Sequence, residues 1–325
     1  MGRLLEFYRT GRRYYRDYQA SKGHQIKLFN YQWSSPVVSD HWLYQFIIKR
    51  GILTKSSKKS ISIFSVNGDK SAIDFNRSDI KIFYTAENVH VPFSHWQKYE
   101  DLLLTKKSVD LSLGFDYINH PKYLRFPYWI MANFKPDDDY TSIKNTCNQM
   151  TRHEISLSSR LRFCSFICKF DYFGNRKIFH DQFSAVDHID CDGLFLHNND
   201  DLKNIYNDNK REYLKNYKFN LCPENTDNNG YVTEKIFDAI HSGCIPIYWG
   251  SQNNPEPDIL NHNAIVFFNE IDDNSGVIKE LKLLNTNPEL YRKFAMQDRL
   301  TKNADEVIYE VFVNLEKKIR ELVNV

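Results

Sequence analysis

The sequence predicts an α/β protein made of two domains of alternating strands and helices, and three observations support this prediction. The chain has 325 residues, which exceeds one ordinary domain and suits two domains of roughly 150 residues each. A hydrophobic fraction of 42%, with 15% aromatic residues, is sufficient for ordered cores. The segment from Tyr217 to Gly250 has the pattern of a strand, a polar loop, a helix and a second, almost wholly apolar strand.

The charge balance, the cysteines and the hydropathy pattern exclude several classes of protein. The net charge of +2 gives no global signature of a nucleic-acid-binding protein, so we expect no nucleic-acid partner. The six cysteines form no CxxC pair, which indicates reduced, buried thiols. No apolar run approaches the ~18 residues of a membrane span. These observations predict a cytoplasmic protein.

The first half of the chain begins with a basic stretch, residues 1–23, that mixes arginine with leucine, phenylalanine and tyrosine. It predicts either a helix packed on the first domain or an amphipathic helix in peripheral contact with an anionic membrane surface. Apolar runs then predict four strands, and a helix entered through Ser39 or Asp40. The strands are Gln25–Trp33, Ser60–Val66, Ile80–Thr85 and Leu111–Phe115, and the helix is Asp40–Lys49.

A polar stretch from Asn133 to about Ser159 is interpreted as the linker between the domains. The predicted organisation is therefore a first domain over residues 1–158, a second domain over 159–304 and a C-terminal helix over 305–325. The triplet Asp137, Asp138 and Asp139 lies in this stretch, next to a proline. We interpret it as a solvated loop and predict no metal site.

The second half continues the alternation of strands and helices. The run RFCSFICK predicts a strand over Arg162–Lys169 that places Cys164 and Cys168 on one face, and a helix follows Gly174. The C-terminal helix is expected to pack back toward the first domain. The other predicted elements are a strand at Ala264–Phe268 and helices at Val277–Leu284, from Asn287 onward and at about Asp305–Leu322.

The segment Tyr217–Gly250 contains the strongest site signal. Its loop from Glu224 to Gly230 is too polar to belong to the core. Thr233 is the predicted N-cap of the following helix, whose apolar stripe is Ile236, Phe237 and Ile240. In open parallel sheets, ligands bind beyond the carboxyl ends of the strands, where helix N-termini present N–H groups to anions.

The charged residues near these predicted strand ends indicate a chemistry. The sequence contains neither GxGxxG nor GxxxxGK[ST], so a dinucleotide dehydrogenase and a P-loop NTPase lose their main support. Arg176, Lys235 and the helix start at Thr233 could converge on a diphosphate and stabilise it as a leaving group. Glu87, at the end of a first-domain strand, could accept a proton from an attacking hydroxyl.

Three segments together resemble a known family. The segment FNLCPENTDNNGYVTEKIFDAIHSGCIPIYWG is similar to the signature of the α-1,3-fucosyltransferases, glycosyltransferase family ten, in which FxLxFEN leads through a polar loop to Y[VI]TEK and then to G-x-[IV]-P-[IV]. FYTAEN resembles the family segment that carries the general base. RFCSFICKFDYFGNRKIF resembles the segment that carries the phosphate-binding arginine. Weaker similarity extends from about Gln25 to Tyr291.

The resemblance implies a GT-B fold, with two Rossmann-like domains facing each other across a cleft. It implies an inverting transfer of L-fucose from GDP-fucose to a glycan hydroxyl, in α-1,3 linkage to a GlcNAc-type sugar, with no required cofactor or metal. The first domain would bind the acceptor and the second the sugar nucleotide. By the same resemblance Glu87 is the base, and the donor-binding residues are Arg176, Asn225, Tyr231, Glu234 and Lys235.

Within that set, Arg176 and Lys235 would hold the diphosphate, and Glu234 would bind a ribose or a fucose hydroxyl. The sequence departs from the family pattern at Pro223, where Phe is usual, and at Ala86 and Thr226, where Gly and Ser are common. Pro223 keeps open a transferase of the same fold that uses another nucleotide sugar. A non-catalytic protein that binds glycans or nucleotides is the second alternative.

Overall fold

The computed structural model describes residues 2–31, 37–54, 56–103, 108–151, 160–270 and 273–324, with side chains from residue 9 onward. These residues form two compact units, Met1–Asp139 with Ile308–Val325, and Tyr140–Val307. Each unit contains a five-stranded parallel sheet. The predicted α/β class is therefore confirmed. The end of the first predicted strand, at Gln32 and Trp33, and the predicted boundary between residues 158 and 159 lie outside the described residues.

The first unit is built on a sheet whose strands lie side by side in chain order, β1-β2-β3-β4-β5. Its strands are short and nearly all buried, as expected for a parallel sheet covered on both faces. All four predicted strands are present. The elements are α1 Gly2–Ala20, β1 Ile26–Phe29, α2 Trp42–Lys49, β2 Ile61–Phe64, α3 Ser71–Phe75, β3 Ile80–Tyr84, β4 Leu111–Gly114, β5 Tyr123–Arg125 and α4 Tyr128–Asn133.

The second unit has the strand order β10-β9-β8-β6-β7, so the chain adds one strand on one side of β6 and then crosses to the other side. Its apolar core contains the inner residues of β6, β8 and β9. The elements are α5 Tyr140–Thr151, β6 Arg162–Ser165, α6 Asn175–Phe183, β7 Ile189–Asp190, α7 Asp201–Asn204, α8 Lys210–Leu214, β8 Tyr217–Pro223, α9 Glu234–His241, β9 Ile245–Trp249, β10 Val266–Phe267, α10 Ser275–Thr286, α11 Pro288–Ala295 and α12 Ala304–Asn324.

The two terminal helices pack on the first unit. In α1, the ring of Tyr14 stacks on Phe29 with centroids 4.9 Å apart, and Thr10 donates to Asp69. These contacts favour a packed helix over a membrane-bound one. In α12, Phe312 lies 5.6 Å from the ring of Trp42 on α2, so the C-terminal helix packs on the first unit as expected. No helix in the described ranges is both long enough and apolar enough to cross a bilayer.

Part of the predicted linker is a helix. Residues 140–151 form α5, which belongs to the second unit and buries Ile143, Cys147 and Met150. These three positions are spaced four and three residues apart, which is the stripe of a helix. They were missed because polar residues surround each of them. The linker interpretation was therefore wrong for this part of the stretch.

Two further element predictions were wrong in detail. The strand predicted over Arg162–Lys169 ends at Ser165, so Cys168 lies beyond the sheet and does not share a strand face with Cys164. The helix α2 is preceded by His41, and the predicted entry residues Ser39 and Asp40 lie in a short 3-10 helix before it. The six cysteines are nevertheless buried free thiols, as predicted.

Candidate functional site

A cavity of about 270 Å³ lies in the second unit at the carboxyl ends of β6 and β8. The strand order reverses between these two strands, and open α/β sheets bind ligands at such a reversal. The cavity wall comes from the loop after β6, the start of α6, the loop after β8 and the start of α9. Its lining consists of residues 167–173, Asn175, Arg176, Asn225, Glu234 and Lys235.

Beneath this cavity lies Glu224, whose side chain is fully buried. Its carboxylate accepts the backbone N–H of Thr233 at 2.8 Å, the hydroxyl of Thr233 at 2.7 Å and the ammonium of Lys235 at 3.0 Å. The expectation that the whole loop is too polar for the core was therefore wrong at this residue. The Tyr248 hydroxyl is a fourth donor, at 3.5 Å. A carboxylate can be buried here because four donors, one of them charged, satisfy it.

The start of α9 is organised by that carboxylate. Thr233 is the N-cap residue, as predicted, but its hydroxyl donates to Glu224 and caps no backbone N–H of the helix. A negative charge at a helix N-terminus is favourable because the helix dipole is positive there. Glu224 therefore places its negative charge beside the start of α9, and the cations at the cavity are side chains.

Lys235 is the first of these side chains. Its ammonium donates to Glu224 and, at 2.8 Å, to the hydroxyl of Thr233, which leaves one of its three N–H donors for a ligand within the described part of the chain. Burial opposes its charge, but the neighbouring carboxylates Glu224 and Glu234 outweigh burial, so the pKa of Lys235 is raised. The lysine is therefore held as a cation at the cavity wall.

Arg176 is the second cation, and it is almost buried, with 8% of its surface exposed. Its guanidinium donates to the carbonyl of Phe170 and, at 2.6 Å, to the side-chain oxygen of Asn225. The Asn225 amide lies 3.5 Å from the hydroxyl of Tyr231. Arg176, Asn225 and Tyr231, which sequence reasoning grouped with the donor site, thus form one chain of side-chain contacts.

The structure therefore brings four of the five predicted donor-binding residues to one cavity. Arg176, Asn225, Glu234 and Lys235 line it, whereas Tyr231 is buried behind Asn225. Glu87 belongs to the other unit and is described separately below.

Sequence reasoning missed three features of this site. Asp171 accepts the backbone N–H groups of Arg176, at 3.2 Å, and Lys177, at 3.0 Å, and so fixes the start of α6. Three largely exposed aromatic rings, Phe170, Tyr172 and Phe173, line the cavity. The signal for them was the run KFDYFG directly after a predicted strand.

The third missed feature is the close approach of Gly250 to Glu224. A Cβ at Gly250 would lie 2.7 Å from the Cγ of Glu224, and the residue has a φ of 137°, which strains any side chain. Glycine is therefore required here for the burial of Glu224. Both residues lie within the segment that resembled the family signature.

Pro223, the departure from the family pattern, ends β8 opposite Trp249. The next residue, Glu224, donates its N–H to the Trp249 carbonyl at 2.9 Å, so the pairing with β9 continues past the proline. Along a strand, the backbones of successive residues form hydrogen bonds to opposite neighbouring strands. Because the backbone of Glu224 bonds to β9, the backbone of residue 223 faces β6. Because β6 ends at Ser165, opposite Asn220, the missing N–H of Pro223 costs no sheet hydrogen bond.

In the first unit, Glu87 lies in the turn directly after β3, as predicted. Thr85 is tied to β4 by its N–H, which donates to the Leu113 carbonyl at 3.0 Å. Its hydroxyl donates to the carbonyl of Glu87 at 2.8 Å and accepts the N–H of Glu87 at 3.1 Å. The backbone of Glu87 is therefore fixed at the carboxyl end of the sheet, and its side chain is half-buried.

Two family models match the chain. One describes the C-terminal part of glycosyltransferase family 10 (fucosyltransferase) and covers residues 159–310, and the other describes the N-terminal domain of alpha-(1,3)-fucosyltransferase FucT and covers residues 29–132.

Two curated relatives are similar to parts of the chain. The alpha-(1,3)-fucosyltransferase FucT of Helicobacter pylori is 28% identical over 238 residues, which is 65% of this chain and 45% of the relative. Alpha-(1,3)-fucosyltransferase B of Drosophila melanogaster is 33% identical over 95 residues, which is 29% of this chain and 21% of the relative. The chain therefore spans less than half the length of these curated relatives.

Solved structures extend the similarity to both units. The crystal structure of an α1,3-fucosyltransferase with GDP-fucose superposes with a TM-score of 0.59 and 23% identity, over 90% of each chain. A second crystal structure of an α1,3-fucosyltransferase gives a TM-score of 0.61 over 90% of this chain and 89% of that one. The predicted α/β fold with two parallel sheets is therefore the fold of these structures.

Proposed function

We propose that this chain, which belongs to glycosyltransferase family 10, the fucosyltransferases, transfers L-fucose from GDP-fucose to a glycan hydroxyl with inversion at the anomeric carbon. The observation that carries this proposal is the pair of cations, Arg176 and Lys235, at one cavity on the strand-order reversal of the second unit. A diphosphate is the group that two cations at such a position suit best.

The donor half of the reaction follows from the arrangement of these cations. Arg176 is oriented by Asn225 and Lys235 by Glu224, so both side chains are ordered before the ligand arrives. When the bond between fucose and the diphosphate breaks, negative charge grows on the departing GDP. Preoriented cations stabilise that charge more in the transition state than in the ground state, which is what accelerates the step.

Glu234 completes the donor half. It lies in the first turn of α9 at the cavity wall, next to Lys235, and is partly exposed. A carboxylate accepts hydrogen bonds from hydroxyl groups. Glu234 therefore binds a ribose or a fucose hydroxyl of the donor, and Tyr231 supports Asn225 from behind.

The acceptor half of the reaction is assigned to the first unit. Glu87 accepts the proton of the acceptor hydroxyl as its oxygen attacks the anomeric carbon in a single displacement. Its fixed backbone at the end of β3 supports this role, because a general base must be held within hydrogen-bond reach of the proton that it takes. We propose α-1,3 linkage to a GlcNAc-type sugar.

The experiment that tests this function is transfer from labelled GDP-fucose to N-acetyllactosamine and related acceptors. We expect a fucosylated product whose anomeric configuration, read by NMR, is inverted relative to the donor. Binding of GDP-fucose without transfer to any acceptor would contradict catalysis and indicate a non-catalytic relative.

The donor identity is tested separately, because Pro223 departs from the family pattern. A thermal-shift panel of GDP-fucose, GDP-mannose and UDP-sugars should show the largest stabilisation with GDP-fucose. A larger shift with another nucleotide sugar would show that the chain is a transferase of the same fold with a different donor.

A further inference from the structure

A histidine lies between two carboxylates a few residues after Glu87. The Nδ1 atom of His90 is 2.8 Å from the Oε1 atom of Glu100, and its Nε2 atom is 2.7 Å from the Oδ1 atom of Asp116. Glu100 lies in the 3-10 helix Gln97–Leu102, and Asp116 lies just beyond β4. Ionised carboxylates only accept hydrogen bonds, so both ring nitrogens donate and the ring is an imidazolium cation.

The surroundings of His90 keep this cation protonated. The hydrogen bond to Asp116 is the largest influence, and together with Glu100 it outweighs burial and raises the pKa of His90 to about 9. Among the residues that the structure describes, the charged groups paired with the ring are Glu100 and Asp116. The Phe115 ring, whose centroid is 6.0 Å away, is an uncharged neighbour. Asp116 is itself held by the Tyr123 hydroxyl, which accepts the N–H of Asp116 at 2.9 Å.

The segment from Thr85 to His90 is anchored at both ends to the β4 side of the sheet. At one end the N–H of Thr85 donates to Leu113 in β4, and at the other the ring of His90 reaches Asp116, just beyond β4. Between the anchors, the side chain of Asn88 accepts the N–H of His90 at 3.0 Å. Glu87 lies between the two anchors, so its position depends on both of them.

We propose that His90 is a positioning residue for the transfer reaction, whose imidazolium ties the segment carrying Glu87 to Asp116 and Glu100. This inference rests on the proposed role of Glu87 as the base. A neutral imidazole has one N–H, so loss of the proton breaks one of the two ties and places a ring lone pair against a carboxylate. The segment then loosens and turnover falls, while donor binding in the other unit is unaffected.

The test uses two variants of the intact chain and the dependence of kcat on pH between 6 and 10.5. Wild type should lose activity as pH rises through about 9. His90→Arg, a permanent cation whose fork can bond both carboxylates, should keep most of the activity and lose the alkaline decline. His90→Gln should lower kcat by about 10²-fold at every pH, with no decline near 9 and an unchanged KM for the donor, because a misplaced catalytic group costs rate and not donor binding.

Two controls separate positioning from a general loss of structure. His188→Gln removes an exposed histidine of the second unit that pairs with Asp190, and it should leave the rate and its pH profile unchanged. NMR titration of the His90 ring in wild type should give a pKa near 9, and Asp116→Asn should lower that pKa. If His90→Gln does not fold, these titrations test whether His90 is a cation paired with Asp116.

The outcomes for His90 and for the proposed function are distinguishable. If wild type transfers fucose and His90→Gln retains the wild-type kcat and pH profile, the inference about His90 is overturned and the function stands. If wild type transfers no fucose, the function is overturned whatever the variants do. A His90 pKa below 7 in the titration would also overturn the inference.

Discussion

The two units place charge at the carboxyl ends of their sheets in opposite ways. In the second unit a single buried carboxylate, Glu224, lies behind the cavity and holds the cation Lys235 at its wall. In the first unit two carboxylates, Glu100 and Asp116, enclose the cation His90. The arrangement in the second unit presents a positive charge to a ligand. The arrangement in the first unit keeps its positive charge paired with its own carboxylates. Similar parallel sheets thus carry the proposed anion site in one unit and the proposed general base in the other, and the loops after the strands account for the difference.

The sheets themselves differ in strand order, and this difference explains where the cavity forms. The strands of the first unit lie side by side in chain order. In the second unit the order in which strands are added to the sheet reverses between β6 and β8. At a reversal the loops after adjacent strands run to opposite faces of the sheet and leave a crevice between them. Arg176 and Lys235 each follow one of these two strands, and so reach the crevice from its two sides.

Among the changes that test this difference between the two units, Glu87→Gln is expected to have the largest effect. The variant should lower kcat by about 10²- to 10⁴-fold, because it removes the proposed general base while keeping the side-chain shape. GDP affinity, measured by calorimetry, should stay at the wild-type value, since the cations that we propose bind GDP belong to the other unit. Near-normal turnover in the variant would show that Glu87 is not the base.

The next largest effect is expected at the buried carboxylate of the second unit. Glu224→Ala removes the acceptor of four hydrogen bonds and leaves Lys235 largely buried without its carboxylate partner, which should lower the free energy of unfolding by about 3–5 kcal/mol in urea. The matched control is Glu212→Ala, which breaks an exposed pair with Lys215 and should cost at most about 1 kcal/mol. Equal losses in both variants would contradict the supporting role of Glu224.

A smaller effect is expected for the two cations at the cavity wall. Arg176→Ala and Lys235→Ala should each weaken GDP binding by about 10- to 100-fold, the equivalent of one or two charge-assisted hydrogen bonds. Lys177→Ala is the matched control on the same helix, because this exposed lysine pairs with Asp181 and does not line the cavity. Calorimetric affinities that match wild type for the Arg176 and Lys235 variants would refute their role as diphosphate ligands.

The smallest effect is expected from metal removal and from the aspartate triplet. We propose that Arg176 and Lys235 neutralise the diphosphate, so an excess of EDTA should leave the transfer rate unchanged. Asp137 forms an exposed pair with Lys49, so Asp137→Asn should change the free energy of unfolding by less than about 0.5 kcal/mol. A rate that falls in EDTA and recovers with a divalent cation would show that the second unit needs more positive charge than its side chains provide.

Much of the cavity site in the second unit could be predicted because its signals are local in the sequence. The apolar runs of β8 and β9, the N-cap Thr233 and the stripe of α9 all lie within one segment, and each obeys a periodicity or a capping rule. The same segment places Asn225, Glu234 and Lys235 on the loop and helix that follow β8. Local rules were sufficient for those residues.

The rest could not be predicted because it depends on contacts that no local rule describes. Glu224 is buried through partners nine and eleven residues later and through the absence of a side chain at Gly250. His90 meets Glu100 and Asp116 across separations of 10 and 26 residues. A glutamate in a polar loop and a histidine after a strand carry no pattern that distinguishes them from solvated residues until the fold brings their partners together.

The positions of the thiols provide a practical way to follow one unit alone. All six cysteines, Cys147, Cys164, Cys168, Cys191, Cys222 and Cys244, are buried in the second unit, and the first unit has none. Burial raises the pKa of Cys168, at the cavity, to about 11, which keeps it unreactive in the folded protein. The rate of alkylation by a thiol reagent will therefore follow the local opening of the second unit and will not report motions of the first unit. If the second unit binds GDP as proposed, GDP should slow alkylation by stabilising that unit against opening.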